Sequence, residues 1–163
     1  MARLVFGAFV IMTIGILGLT PKTMFGFSII WPYAALWGAV GWGRVGLSLR
    51  PMLFLIAFGL AQDISLNAPL GCFVIVNLSV YGLSAAVADA FDTSNDPILG
   101  VIAPTALLLI AFVLVWALAS LLQEHPVRIV PLTKTLLITG IGFAVFQKAF
   151  NLGRPPGSIM GTS

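Results

Sequence analysis

Long apolar runs separated by short polar punctuation make up almost the whole chain. Six can be drawn: Leu4–Thr20, Phe25–Trp42, Pro51–Ser65, Pro69–Ala88, Pro97–Gln123 and Pro131–Phe150. Runs of this kind predict helices rather than half-buried strands, because apolar residues follow one another without alternation. Pro51, Pro69, Pro97 and Pro131 each open a run, where a missing amide hydrogen is tolerated. The second run carries no charge from Thr23 to Gly43 and is long enough to span a bilayer. The third is shorter, covering roughly 22 Å of a hydrocarbon core of roughly 30 Å. Its closing turn, Ile64–Ala68, is therefore expected below the membrane surface, where irregular backbone must be enclosed by protein. The fifth run is the longest and must tilt or extend past the bilayer, with Pro104 kinking its first turns. Residues 1–150 read as one six-helix transmembrane domain and the Gly- and Pro-rich tail Asn151–Ser163 as a flexible end.

Composition turns that pattern into a class. The 163 residues are 60% hydrophobic and only 8% charged, against about 25% charged in soluble domains. With a mean hydropathy of +1.10, the expectation is an all-α integral membrane protein with a six-helix bundle. The net charge of +3 comes from scattered single Lys and Arg, as juxtamembrane residues would be, and does not suggest nucleic-acid binding. Arg3 could mark a signal peptide, but the first apolar run is long and lacks a clear cleavage site, so a retained helix is expected. With the N-terminus inside, Arg3, Arg44, Arg50, Lys148 and Arg154 fall on the cytoplasmic side and Lys22, Arg128 and Lys134 outside. That asymmetry favours cytoplasmic N- and C-termini.

Within the helices, small residues recur at helical spacing. Ala35, Ala39 and Gly43 form one stripe, and Gly82, Ala86 and Ala90 another; both read as faces that let a second helix approach closely. Trp31, Trp37, Trp42 and Tyr33 are candidate interfacial anchors. In the fourth run Asn77, Tyr81 and Ser84 share a face, as packing contacts or as part of a ligand site.

The one ionisable group set deep in this pattern is Asp63, just before the turn Ser65-Leu66-Asn67-Ala68-Pro69. A carboxylate there is costly and needs a reason. It could accept the free amides of Leu70 and Gly71 at the start of the next helix, it could couple proton or cation movement in a transporter, or it could meet a partner helix. The remaining inventory is thin. Cys72 is alone, His125 stands beside Glu124 in a polar connection, and the acidic stretch Asp89–Asp96 lacks the ligand spacing of a calcium loop. The expectation is a protein without catalytic, cofactor or metal residues.

The central stretch carries a resemblance. Arg50-Pro51, a helix closing on Gly59-Leu60-Ala61-Gln62-Asp63, and then Ala68-Pro69-Leu70-Gly71 resemble the rod shape-determining protein MreD family, whose pattern reads approximately FxxGLLxDxxxGxPLG. Ile56 stands where that pattern has phenylalanine, and Asn67 where many members have glycine. The resemblance implies that Arg50, Pro51, Asp63, Pro69 and Gly71 form the motif. It also implies a fold like the substrate-binding subunits of vitamin (ECF-type) transporters. The implied role is a non-enzymatic inner-membrane scaffold of the bacterial cell-wall elongation complex. Its implied partners are an MreC-like membrane protein, an MreB-like actin homologue, and RodA with its penicillin-binding partner. The alternative reading is a small-molecule-binding membrane subunit of a transporter, built on Asp63, Asn77, Tyr81 and Ser84.

Overall fold

The computed structural model describes residues 2–18, 23–24, 27–28, 32–66, 68–91, 97–122 and 129–150. It contains six helices: α1 (Ala2–Leu17), α2 (Ala34–Gly43), α3 (Leu49–Leu66), α4 (Cys72–Ala90), α5 (Pro97–Leu122) and α6 (Ile129–Phe150). Two antiparallel two-residue strands, β1 (Thr23–Met24) and β2 (Phe27–Ser28), pair between α1 and α2. Among the described residues three helical stretches are long and apolar enough to cross a membrane: Leu49–Leu66, Cys72–Ala90 and Gly100–Leu118. The apolar parts of α1 and α6, Leu4–Leu17 and Leu132–Phe146, are shorter.

The architecture is five helices around one. α2 touches each of the other five, and these close a ring in the order α1, α3, α4, α5, α6 and back to α1. All ten residues of α2 are buried. A helix that is apolar on every side has no face to give to solvent, so it belongs in the middle of a bundle. The sequence makes that placement possible because α2 alternates very small residues with two tryptophans. A methyl group built on Gly43 would lie 2.6 Å from the Tyr81 carbonyl oxygen, so only glycine lets the α4 backbone come so close. Gly142 on α6 works in reverse, leaving room for the Trp37 indole that a Cβ there would strike. Gly7 on α1 and Gly41 on α2 both meet Phe150, so the start of α1, the end of α2 and the end of α6 share one end of the bundle.

Several expectations need correction. The second apolar run is not one span from Phe25 to Trp42. Its helix begins only at Ala34, and ten residues reach about 15 Å, half a hydrocarbon core. Pro32 is not helical; it lacks the amide a helix arriving from upstream would need, and it disfavours helical backbone in the residue before it. Trp37 and Trp42 are not interfacial anchors but core residues, each 1% exposed; Trp31 lies outside the described residues. α3 begins two residues before Pro51, which sits buried in its first turn, where its missing amide costs nothing. α4 starts at Cys72 rather than Pro69. Lys22, Glu124, His125, Arg128, Arg154, most of the Asp89–Asp96 stretch and the Asn151–Ser163 tail lie outside the described residues.

The two small-residue stripes part company. Ala35, Ala39 and Gly43 are buried in the bundle centre. Among the described residues, Gly82 and Ala86 meet no neighbouring helix: nothing lies within 4 Å of a Cβ built on Gly82, and Ala86 and Ala90 are exposed. α4 turns Val76, Asn77, Val80, Tyr81, Ser84, Ala85 and Ala88 inward instead. Those residues follow the helical repeat as well as the small ones do, and they carry more apolar area to bury.

This contrast yields a paired prediction. Ala39→Leu forces bulk into the space shared by the ring and should cost about 1–3 kcal/mol, whereas Ala86→Leu should change stability by less than about 0.5 kcal/mol. Thermal unfolding in detergent compares them, and equal melting temperatures for the two variants would contradict a central α2.

Candidate functional site

The turn between α3 and α4 collects the residues that the sequence marks most strongly. Asp63 is helical, in the last turn of α3, and fully buried. Its Oδ2 accepts the amide of Gly71 at 2.7 Å and its Oδ1 accepts the amide of Phe73 at 2.8 Å. The expected Gly71 bond is present, and the second partner is Phe73 rather than Leu70. The reason is local geometry. Gly71 is the N-cap of α4 with φ +93°, a left-handed conformation that L side chains resist, and it brings no capping side chain of its own. The amides at the start of a helix lack intrahelical acceptors, so a carboxylate from the preceding helix supplies both bonds. The turn is closed further by Ala68 N–H donating to the Asp63 carbonyl at 2.9 Å and Cys72 N–H donating to the Pro69 carbonyl at 3.1 Å. One glycine tightens the helix pair: a Cβ on Gly59 of α3 would lie 2.9 Å from the amide nitrogen of Val74 on α4.

The polar face of α4 continues from there. Asn77, Tyr81 and Ser84 are all buried, as their shared spacing predicts. Ser84 Oγ donates to the Val40 carbonyl of α2 at 2.7 Å. The Tyr81 hydroxyl accepts the Ser48 amide at 2.7 Å and lies 3.2 and 3.3 Å from the carbonyl oxygens of Gly46 and Ser48, so it fixes the turn joining α2 to α3. Asn77 Nδ2 donates to Gln62 Oε1 at 3.4 Å, while Asn77 Oδ1 is buried with no partner among the described residues.

The motif residues are not gathered into one pocket. Arg50 is exposed and Pro51 buried at the start of α3, about 18 Å along the helix from Asp63 at 1.5 Å per residue. Asp63, Pro69 and Gly71 form one cluster, and Arg50 and Pro51 belong to the opposite end. Of Asp63, Asn77, Tyr81 and Ser84, only Ser84 borders either of the two spaces described next. The space beside Ser84, bounded by Val40, Arg44, Ala88, Ala103 and Pro104, has no room for a water molecule. A larger groove of about 290 Å³ lies between α5 and α6, and Leu109, Phe112, Trp116 and Leu136 give it an apolar lining. No group of three metal-ligating side chains occurs among the described residues.

One anchor escapes a reading of the sequence. Thr139, buried at 0% exposure, donates its hydroxyl to the Thr135 carbonyl at 2.7 Å. The same oxygen accepts the amide of Tyr33, the N-cap of α2, at 3.0 Å. Its carbonyl accepts the Trp37 indole N–H at 2.9 Å. A threonine inside an apolar helix gives no periodic signal. The only hint was a tryptophan in a run that needed an internal acceptor for its N–H.

Both oxygens of Asp63 face amide donors, so Asp63→Asn turns an NH2 toward one of them and keeps only the other bond. Losing a bond to a buried donor costs about 1–3 kcal/mol. Asp63→Ala, which loses both, should be the least stable, with Asp63→Asn between it and the parent. Gly71→Ala should destabilise by roughly 1–2 kcal/mol through its left-handed φ alone. Melting in detergent and membrane accumulation rank the three, and Asp63→Ala as stable as the parent would remove the carboxylate from this structural role.

Compared with family models, with curated proteins and with solved structures, the chain matches none, so the reading of this site rests on its own residues and geometry.

Proposed function

We propose that the chain is a non-enzymatic membrane scaffold of the bacterial cell-wall elongation complex. On this reading it is a multi-pass inner-membrane protein that maintains rod shape, with a six-helix bundle of the kind seen in substrate-binding subunits of vitamin transporters. The observation that carries the scaffold role is where the buried polar side chains spend their hydrogen bonds. Asp63 serves Gly71 and Phe73, Ser84 serves Val40, Tyr81 serves the α2–α3 turn, and Thr139 serves Tyr33 and Thr135. Groups committed to the chain's own backbone hold a shape; they are not free to bind or transform a substrate. The proposed partners are an MreC-like membrane protein, an MreB-like actin homologue, and RodA with its penicillin-binding partner. The bilayer is the surrounding solvent.

A second reading, a small-molecule-binding subunit of a transporter, is favoured by one observation. Asn77 Oδ1 is buried and unpartnered among the described residues, and such a carbonyl would be satisfied by a donor from outside the chain.

Removing the gene from its native bacterium should convert rods to rounded cells, and the chain carrying both Cys72→Ala and His125→Ala should restore rods. Unchanged shape after removal would refute the scaffold. An Asp63→Asn chain that accumulates normally yet fails completely would favour the transporter. Reporter fusions should give no phosphatase activity at Ser163 and activity in the Glu124–Arg128 connection; the opposite pattern would invert the topology.

A further inference from the structure

The hydrogen-bond ladder of the longest helix is interrupted by a proline where it passes the end of the central one. Pro104 lies inside α5 and is buried. It has no amide hydrogen, so the carbonyl four residues earlier, Gly100, loses its helical donor, and the proline ring pushes against that same carbonyl. Two side chains serve the carbonyls around the proline. Arg44, the C-cap of α2, donates from Nη2 to the Gly100 carbonyl at 3.4 Å, slightly longer than the usual N–H···O range of about 2.7–3.2 Å. Thr105 Oγ1 donates to the next carbonyl, Val101, at 2.8 Å. Proline in an apolar helix is tolerated when neighbouring groups re-satisfy the freed carbonyl; Pro104 frees only that of Gly100, and the donor that serves it comes from outside α5. The space between Arg44 and Pro104, walled by Val40, Ser84, Ala88 and Ala103, admits no water. Arginine suits the place because it carries several fixed donors and keeps its charge at neutral pH; its half-burial lowers its pKa from the ordinary arginine value.

We infer that α5 is hinged at Gly100–Pro104 and that Arg44 is the latch, standing in for the amide that Pro104 lacks and tying the bend of α5 to the α2–α3 turn. Arg44 sits in that turn beside Val45 and Gly46, and the turn is held from the other side by the Tyr81 hydroxyl. Its engagement with Gly100 makes the first turns of α5 move with α2, while the part beyond Pro104 packs with α4 and α6.

The latch predicts a dependence of one residue on the other. Spin labels at the exposed positions Val101, on the first turns of α5, and Leu121, beyond Pro104, in a Cys72→Ala background, stand on either side of the proline at about 30 Å for a straight helix. The parent should give a narrow distance distribution. Arg44→Met, which keeps an apolar stem and removes the donors, should broaden it at least twofold. Pro104→Ala returns an amide to Gly100, so the Arg44→Met/Pro104→Ala pair should recover at least half of the lost sharpness. A parental width in Arg44→Met, or a broadening that Pro104→Ala does not reduce by half, would overturn the latch. Should Arg44→Met fail to accumulate, recovery of folded protein in the double variant supports the inference, and failure of both overturns it.

Discussion

Every helix of this chain has to reach α2, and α2 has only ten residues with which to receive five neighbours. That crowding sets the packing elsewhere. The central helix cannot carry branched side chains at Gly38, Gly41 or Gly43, because Ile11, Phe150 and Tyr81 already occupy the space a Cβ would take. Where α2 is bulky, its neighbours are small: Trp37 fills the gap opened by Gly142, and Gly7 leaves room for Trp42 and Phe150. The two tryptophans then gather aromatic partners, Phe146 and Phe150 around Trp37 and Phe54 and Phe150 around Trp42. Large and small positions interlock in this way because a core packed to crystal-like density leaves no slack to share.

Polar chemistry in the bundle follows the backbone. Among the described residues, three places interrupt the helical hydrogen-bond ladder inside the packed volume: the start of α2, the α3–α4 turn and the Pro104 position. Each is met by a side chain from a helix other than the one being capped, respectively Thr139 from α6, Asp63 from α3 and Arg44 from α2. An unpaired backbone group in an apolar surround is expensive, so these side chains stand where the interruptions are. A lone carboxylate in so apolar a chain first suggests coupling or catalysis, yet its two oxygens are both occupied by amides.

The sequence was legible where the rule is about length and termini. The fifth and sixth apolar runs and their proline starts locate α5 and α6 to within two residues, because a proline at a helix start has a fixed physical meaning. Asp63 stood out because it had no companions, and one of its two amides followed from spacing alone. The second run misled because hydropathy does not distinguish a helix facing lipid from one enclosed by protein, and the helix begins only after Pro32. Gly82 and Ala86 show the same limit on a finer scale. A small-residue stripe states that close approach is allowed, not that a neighbour is present, and Ala35, Ala39 and Gly43 have the neighbour only because α2 is central.

A short central helix within longer ones also fixes where irregular backbone falls. Tyr33, just before α2, lies edge-on to Phe73 at the start of α4 and stacks on Phe112, while its amide reaches Thr139. Phe112 and Thr139 sit near the middles of α5 (Pro97–Leu122) and α6 (Ile129–Phe150). The beginning of α2 and the Asp63 turn therefore share a level halfway along the two longest helices. If those helices cross a bilayer, that level is inside it, and not because α3 is short, since α3 reaches about 27 Å. The depth comes from α4 and α2 both starting late. Two non-helical segments side by side at that depth would expose amides to lipid on their own. Thr139 and Asp63 accept those amides from the flanking helices, and the aromatic cluster of Tyr33, Phe73 and Phe112 seals the space between them.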